Sequence, residues 1–214
     1  MPQALVPAII RGVGARAVKT VYNDWRAALA EFMRDAQEYI KFGNYPEPNE
    51  LPEQLETDEF VVRGLKAKDV HGHTVTQWQE FVQMKRRGDR KSLYIAERAH
   101  DKSVSARNSK GFTVPPPYTK QEWEPLASSR ALANSMAINH TDGLPTYKKN
   151  QPRKWTQDAV AHGRPRSRGG PEFTGSRMHA TPSGLMLETI GGTQSVDAIG
   201  GNLKRGGPLR ERAI

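Results

Sequence analysis

Apolar residues recur at three- and four-residue steps near the start of the chain: Val18, Val21, Tyr22, Trp25, Leu29, Phe32, Met33, Ala36, Tyr39 and Ile40. Arg26, Glu31, Arg34, Asp35, Glu38 and Lys41 fill the remaining positions, the pattern of an amphipathic helix. The spacing predicts one helix over Val18 to Phe42, about 37 Å long, with Gly43 as the residue that ends it. Its stripe carries two Tyr, one Trp and one Phe and must be covered, either by a second helix of the same chain or by another subunit. Trp25, Leu29 and Phe32 are its candidate protein contacts.

Downstream the pattern is shorter-ranged. Pro46, Pro48 and Pro52 forbid a helix or a central strand. Phe60 to Leu65 fits a short strand or turn. Thr76 with Gln79 has capping-box spacing, and Trp78, Phe81 and Val82 would give a second helix its apolar face, with Lys85, Arg86 and Arg87 at its end and Gly88 stopping it. Ser92 to His100 reads as a third segment. Thr119 and Glu122 cap a fourth, short helix ended by Pro125, and Leu126 to Ile138 reads as a fifth helix.

After Thr141 the pattern fades, and 12 of the 19 glycines fall between Gly143 and Gly207. Such a segment offers too little apolar surface to offset its chain entropy. The expected fold is therefore mainly α: a small irregular helical body with a long extended C-terminal arm of low secondary structure. The divisions are a basic, acid-poor extension at 1–17, the long helix at 18–43, an acidic Pro-rich connector at 44–60, a small helical region at 61–139 and a basic Gly/Pro-rich tail at 140–214.

Composition sharpens this picture. Of 214 residues 36% are hydrophobic, and with the 19 glycines counted the share stands at the bottom of the range for ordinary globular chains, the glycines lying mostly in the tail. With no Cys there is no disulfide, thiolate metal site or Cys nucleophile. No stretch approaches the roughly 20 apolar residues of a membrane span, and Pro7 interrupts the apolar run that a secretory signal would need. The first 23 residues carry no acid, with Arg11, Arg16 and Lys19 among small apolar residues. That segment resembles a mitochondrial targeting sequence, so the expected location is mitochondrial, with a virion as the alternative.

The net charge of +9 is unevenly spread. Residues 43–60 hold six acids and no base, whereas cations gather in three clusters: Lys85, Arg86, Arg87, Arg90 and Lys91; Lys148, Lys149, Arg153 and Lys154 with Trp155; and Arg164, Arg166 and Arg168. Cations neutralise phosphate and aromatic faces stack on bases, so the clusters are candidate contacts for RNA or for an acidic protein. Pro115-Pro116-Pro117-Tyr118 matches the PPxY peptide that WW domains bind as a polyproline helix, or is a stiff linker; Pro115, Pro116 and Tyr118 are its candidate contacts. His71 and His73 lack a third ligand and read as a polar turn.

No Gly-x-Ser-x-Gly, phosphate loop or dinucleotide fingerprint is present. The acids of the connector read as solvated. The expectation is a non-enzymatic structural or accessory subunit of a large assembly, with other subunits and RNA as partners, no cofactor and no small-molecule substrate. Its basic arm would thread over neighbouring surfaces, as in ribosomal or organellar complexes. The alternatives are a virion structural protein and a free nucleic-acid-binding module.

Overall fold

The computed structural model describes residues 15–45, 50–68, 71–89, 91–98, 106–107, 113–142, 145–160, 175–180, 184 and 186–206. The chain divides into two compact units, Met1–Tyr39 and Ile40–Ile214.

The first unit contains the helix α1 (Ala15–Glu38). It starts earlier than the periodicity predicts and ends four residues sooner. Phe42 leaves the helix because it is fully buried in the core of the second unit. Gly43 therefore serves a different purpose from a helix terminator. At φ +91°, it lies where an added Cβ would come within 2.7 Å of Ser135 Cβ.

The second unit is a mixed α/β structure, so the expectation of a mainly α body is wrong. Its strands are β1 (Glu53–Lys68), β2 (Thr74–Arg86), β3 (Tyr94–Glu97), β4 (Ala106–Arg107), β5 (Thr113–Val114), β6 (Ala137–Thr141), β7 (Trp155–Ala159), β8 (Gly175–Ala180) and β9 (Met186–Gly191). Its helices are α2 (Lys120–Arg130), α3 (Pro145–Lys149) and α4 (Gln194–Gly206). A five-stranded sheet runs β3-β2-β1-β6-β7, and β4-β5 and β8-β9 form two-stranded sheets. β2 lies between β1 and β3 and is antiparallel to both, whereas β6 lies parallel to both β1 and β7.

The predicted second helix is strand β2. Trp78, Phe81 and Val82 do stand at helical spacing, but Val82 and Met84 alternate with period two and are buried on one face. Pairing with β1 over the whole length of β2 decides between the two periods. A further correction concerns α2, which runs through Pro125 to Arg130. Trp123, Ala127 and Arg130 are buried on both sides of the proline, and that packing outweighs one lost helical hydrogen bond. Of the predicted fifth helix, Leu126 to Arg130 belong to α2, residues 131–136 form a turn between two isolated bridges, and Ala137 and Ile138 begin β6.

The two faces of the hairpin β1–β2 have different coverings. Leu55, Val82 and Met84 form the core with Trp123 and Ala127 of α2, Tyr147 of α3, Ala137, Trp155 and Phe42. Trp123 and Tyr147 meet edge to face at 4.5 Å. On the opposite face α4 lies against Gln83 and Phe60, close enough that a Cβ at Gly200 would stand 3.3 Å from Phe60 Cβ.

The extended arm is likewise corrected. Within 140–214 the described residues supply β7, β8, β9, α3 and α4, and Gly191 lies so near β7 that a Cβ would sit 2.7 Å from Val160 Cγ2. Glycine here permits close packing. The concentration of glycines reads as an unfolded segment because a sequence does not show which neighbour approaches.

Candidate functional site

The basic clusters have separate fates. Arg86 donates to Glu53 at 2.5 Å and to the Lys41 carbonyl, with its guanidinium over the Phe42 ring. Arg87 bonds Glu56 at 3.0 Å, the Gly192 carbonyl at 2.5 Å and the Ile190 carbonyl, tying β2 to the turn before α4. Lys85 donates to the Arg86 and Asp89 carbonyls. These three cations hold the fold together. Lys91 is exposed, and Arg90 lies outside the described residues.

In the second cluster Lys148, Lys149, Arg153 and Lys154 are exposed around α3 and the start of β7, but Trp155 is buried and turned inward, its Nε1 3.3 Å from Ser135 Oγ. It cannot stack on a base. Arg164, Arg166 and Arg168 lie outside the described residues, as do residues 1–14 of the acid-free segment. His71 and His73 are exposed in the turn between β1 and β2.

The PPxY-like peptide is part of the core. Arg98, 3% exposed, pairs with Glu122 through two bonds of 2.8 Å and with Glu80 at 2.7 Å. It also donates to the carbonyls of Pro116 and Pro117 and lies 4.1 Å over the ring of Tyr118. Tyr118 is buried, so the ring that a WW domain would grip faces inward, while Pro115 and Pro116 are half-buried. Burial opposes ionisation of Glu122, but the Arg98 and Thr119 hydrogen bonds prevail and hold it down at about 2. Glu122 also accepts from the Thr119 backbone N–H at 2.8 Å, so the expected capping pair does anchor α2.

Two polar groupings, one half-buried and one buried, were missed by the reading of the sequence. The first lies at the carboxyl end of β6, where β1 continues past its parallel neighbour. Asp58, Glu59 and Asp142 each bring one carboxylate oxygen within 4.8 Å of the others. Oxygen-only sets of this kind suit hard cations such as Mg2+ or Ca2+. Burial, a hydrogen bond with Asp197 and the charges of Glu59, Asp197 and Asp142 push Asp58 up to about 9. Burial, with Asp142 and Glu80 adding to it, pushes Glu59 up to about 8 against the pull of the Tyr147 hydroxyl and Arg98. Both carboxyls therefore keep their protons at neutral pH, which lets four acids gather. Of the connector acids read as solvated, Glu53, Asp58 and Glu59 are half-buried, and Glu56, 4% exposed, accepts from the backbone N–H groups of Ser195 and Val196 at the start of α4.

The second grouping joins β6, β7 and the β8–β9 hairpin. His140 Nδ1 stands 3.1 Å from Asp158 Oδ2, and both side chains are wholly buried. Thr189 donates to Asp158 at 2.9 Å, and Arg177 and His179 approach it at 3.4 and 3.5 Å. Burial lowers His140, leaving a neutral imidazole. It would raise Asp158, but the bonds from His140 and Thr189 hold that carboxyl at about 2. Asp158 thus joins β6, through His140, to the β8–β9 hairpin, through Thr189 and Arg177.

The remaining candidates lie on α1. Trp25 is 59% exposed and Phe32 69%, with Leu29, Val21, Tyr22 and Met33 exposed beside them. Tyr22 and Trp25 stack at 6.3 Å. Among the described residues no helix is long and apolar enough to cross a membrane. Comparison with protein families, with curated proteins and with solved structures finds no match to this chain.

Proposed function

We propose that the chain is a non-enzymatic subunit of a larger macromolecular assembly and that α1 is the element by which it docks on another protein subunit. The observation that supports this reading is the exposed aromatic stripe of α1. In proteins an amphipathic helix draws most of its stability from packing its apolar face, and contiguous exposed apolar surface marks an interaction site. The buried ionic groupings fit the same reading, since Arg98 and Asp158 are consumed by internal partners. The cations left exposed, Lys148, Lys149, Arg153 and Lys154, give the assembly a surface for phosphate or an acidic protein.

Gradient sedimentation of the tagged chain from its native source, with and without nuclease, tests this. The expected result is migration well ahead of a 23.9 kDa species. Collapse on ribonuclease treatment would make RNA part of the assembly and point to the exposed lysines and arginines; insensitivity would make it a protein assembly. Migration as a free 23.9 kDa chain would overturn the reading.

A further inference from the structure

Three acids gather where the pairing of β1 with β6 ends. That parallel pairing runs from Glu53 opposite Ala137 to Glu56 opposite His140. Past the last pair β1 supplies Asp58 and Glu59, and Asp142 follows the final residue of β6. The acids thus meet at the carboxyl end of a parallel strand, the place where open α/β sheets bind their ligands. One oxygen from each lies within 4.8 Å of the other two. The Tyr147 hydroxyl donates to Glu59 and fixes that carboxylate from the core side. The charges that act on Asp58 are those of Glu59, Asp197 and Asp142, all negative, while Arg98 is engaged by Glu80 and Glu122. We propose that Asp58, Glu59 and Asp142 bind one hard divalent cation, Ca2+ in preference to Mg2+, with the side-chain carbonyl of Gln83 as a neutral fourth ligand. This site is independent of the docking role of α1.

Gln83 is the observation that turns a cluster of acids into a site. It is the direct partner of Asp58 in the β1–β2 ladder, and side chains so paired leave a hairpin on one face with Cβ atoms about 5 Å apart. Gln83 is wholly buried, and its Nε2 donates at 2.6 Å to the carbonyl of Val196, the residue before the Asp197 that hydrogen-bonds Asp58. The amide is thereby held among these acids, with α4 packed closely over it: a Cβ at Gly200 would stand 3.2 Å from Gln83 Nε2. Yet its Oε1, also buried, has no hydrogen-bond partner among the described residues. Buried acceptors are ordinarily paired. A hard cation answers both features, since it takes carboxylate and neutral carbonyl oxygens together. Ligands drawn from β1, β2 and the end of β6 meet in an irregular arrangement, which Ca2+ accepts more readily than Mg2+. The cation displaces the protons that Asp58 and Glu59 otherwise keep.

Tb3+ is the probe, because it enters Ca2+ sites and luminesces when an excited aromatic ring lies near. Here Tyr147 touches Glu59, and Trp123 meets Tyr147 edge to face at 4.5 Å. Aromatic excitation of the full chain is expected to give saturable Tb3+ emission at one ion per chain, reversed by Ca2+ at lower concentration than by Mg2+. Asp142→Asn should weaken the ion by about 10-fold or more and Gln83→Leu by about 3-fold, the charged ligand mattering more than the neutral one. Ca2+ should also raise the thermal midpoint of the wild-type chain, as any ligand of the folded state does, and should leave that of Asp142→Asn unmoved. Two results would overturn the proposal. One is wild-type chain without saturable emission and with a thermal midpoint indifferent to Ca2+, a result that needs no variant to fold. The other is emission that Asp58→Asn and Asp142→Asn both leave unchanged, since the ion would then lie elsewhere. Reversal by Mg2+ at lower concentration than by Ca2+ would overturn the choice of ion.

Discussion

The two units of this chain invert the usual placement of residues. In α1 the aromatic side chains are outside, with Phe32 69% exposed, whereas in the α/β unit full charges are inside, with Arg98 at 3%. The difference shows which part is self-sufficient. Among the described residues, buried charges of the α/β unit find partners in the same unit: Arg98 with Glu80 and Glu122, Asp158 with Thr189 and His140 beside it, Glu56 with Arg87 and the start of α4. The apolar stripe of α1 lacks such coverage in its own helix, since a single helix cannot bury its own face.

The contrast can be broken most severely at Arg98. Arg98→Ala leaves Glu80 and Glu122 without their cation beneath α2 and should cost about 3–5 kcal/mol, read as a lowered urea midpoint. A smaller loss would mean that water reaches those carboxylates.

Asp158→Asn comes next, at about 2–3 kcal/mol, the worth of hydrogen bonds to a buried charge. Its pH signature has a definite sign. Asp158 titrates at about 2 in the folded chain, against about 3.9 when unfolded. Its contribution is therefore fully present above about pH 4 and disappears as pH falls towards 2. The groups that face it are His140, His179, Arg177 and Thr189. The difference in stability between wild type and Asp158→Asn should accordingly shrink below pH 4. A difference that stayed constant would remove the charge from the account.

How much of this could be read from the sequence depended on the range of each signal. The periodicity of α1 and the Thr119–Glu122 pair lie within one or a few turns, so both were legible. β2 was not, because Trp78, Phe81 and Val82 satisfy two periods and the choice belongs to β1, its partner along the whole hairpin. Arg86 and Arg87 looked like a phosphate-binding pair because their carboxylates, Glu53 and Glu56, stand more than 30 residues upstream. Asp58, Asp142 and Asp197 come from three distant segments, and nothing in any one of them signals the meeting.

In the helix the expected effects are on association. Trp25→Asp should leave the urea midpoint of the α/β unit within about 0.5 kcal/mol, the range of surface changes, while docking on the partner subunit weakens by about 2 kcal/mol. A fall in that midpoint would show that Trp25 supports the second unit. The smallest effect is expected at Thr119→Ala, about 1 kcal/mol for loss of a helix cap, read in thermal unfolding. A larger value would mean that the Thr119 hydroxyl also positions Glu122 for Arg98, from which it accepts two bonds.

The most direct test of the account sets the wild-type chain beside Trp25→Asp in one native sedimentation experiment. The account predicts that wild type travels with a large assembly and that the variant, folded and otherwise unchanged, is displaced to a smaller species approaching 23.9 kDa. Co-sedimentation of the two at the same large size would contradict it, because the exposed stripe of α1 would then not be what joins this chain to its partners.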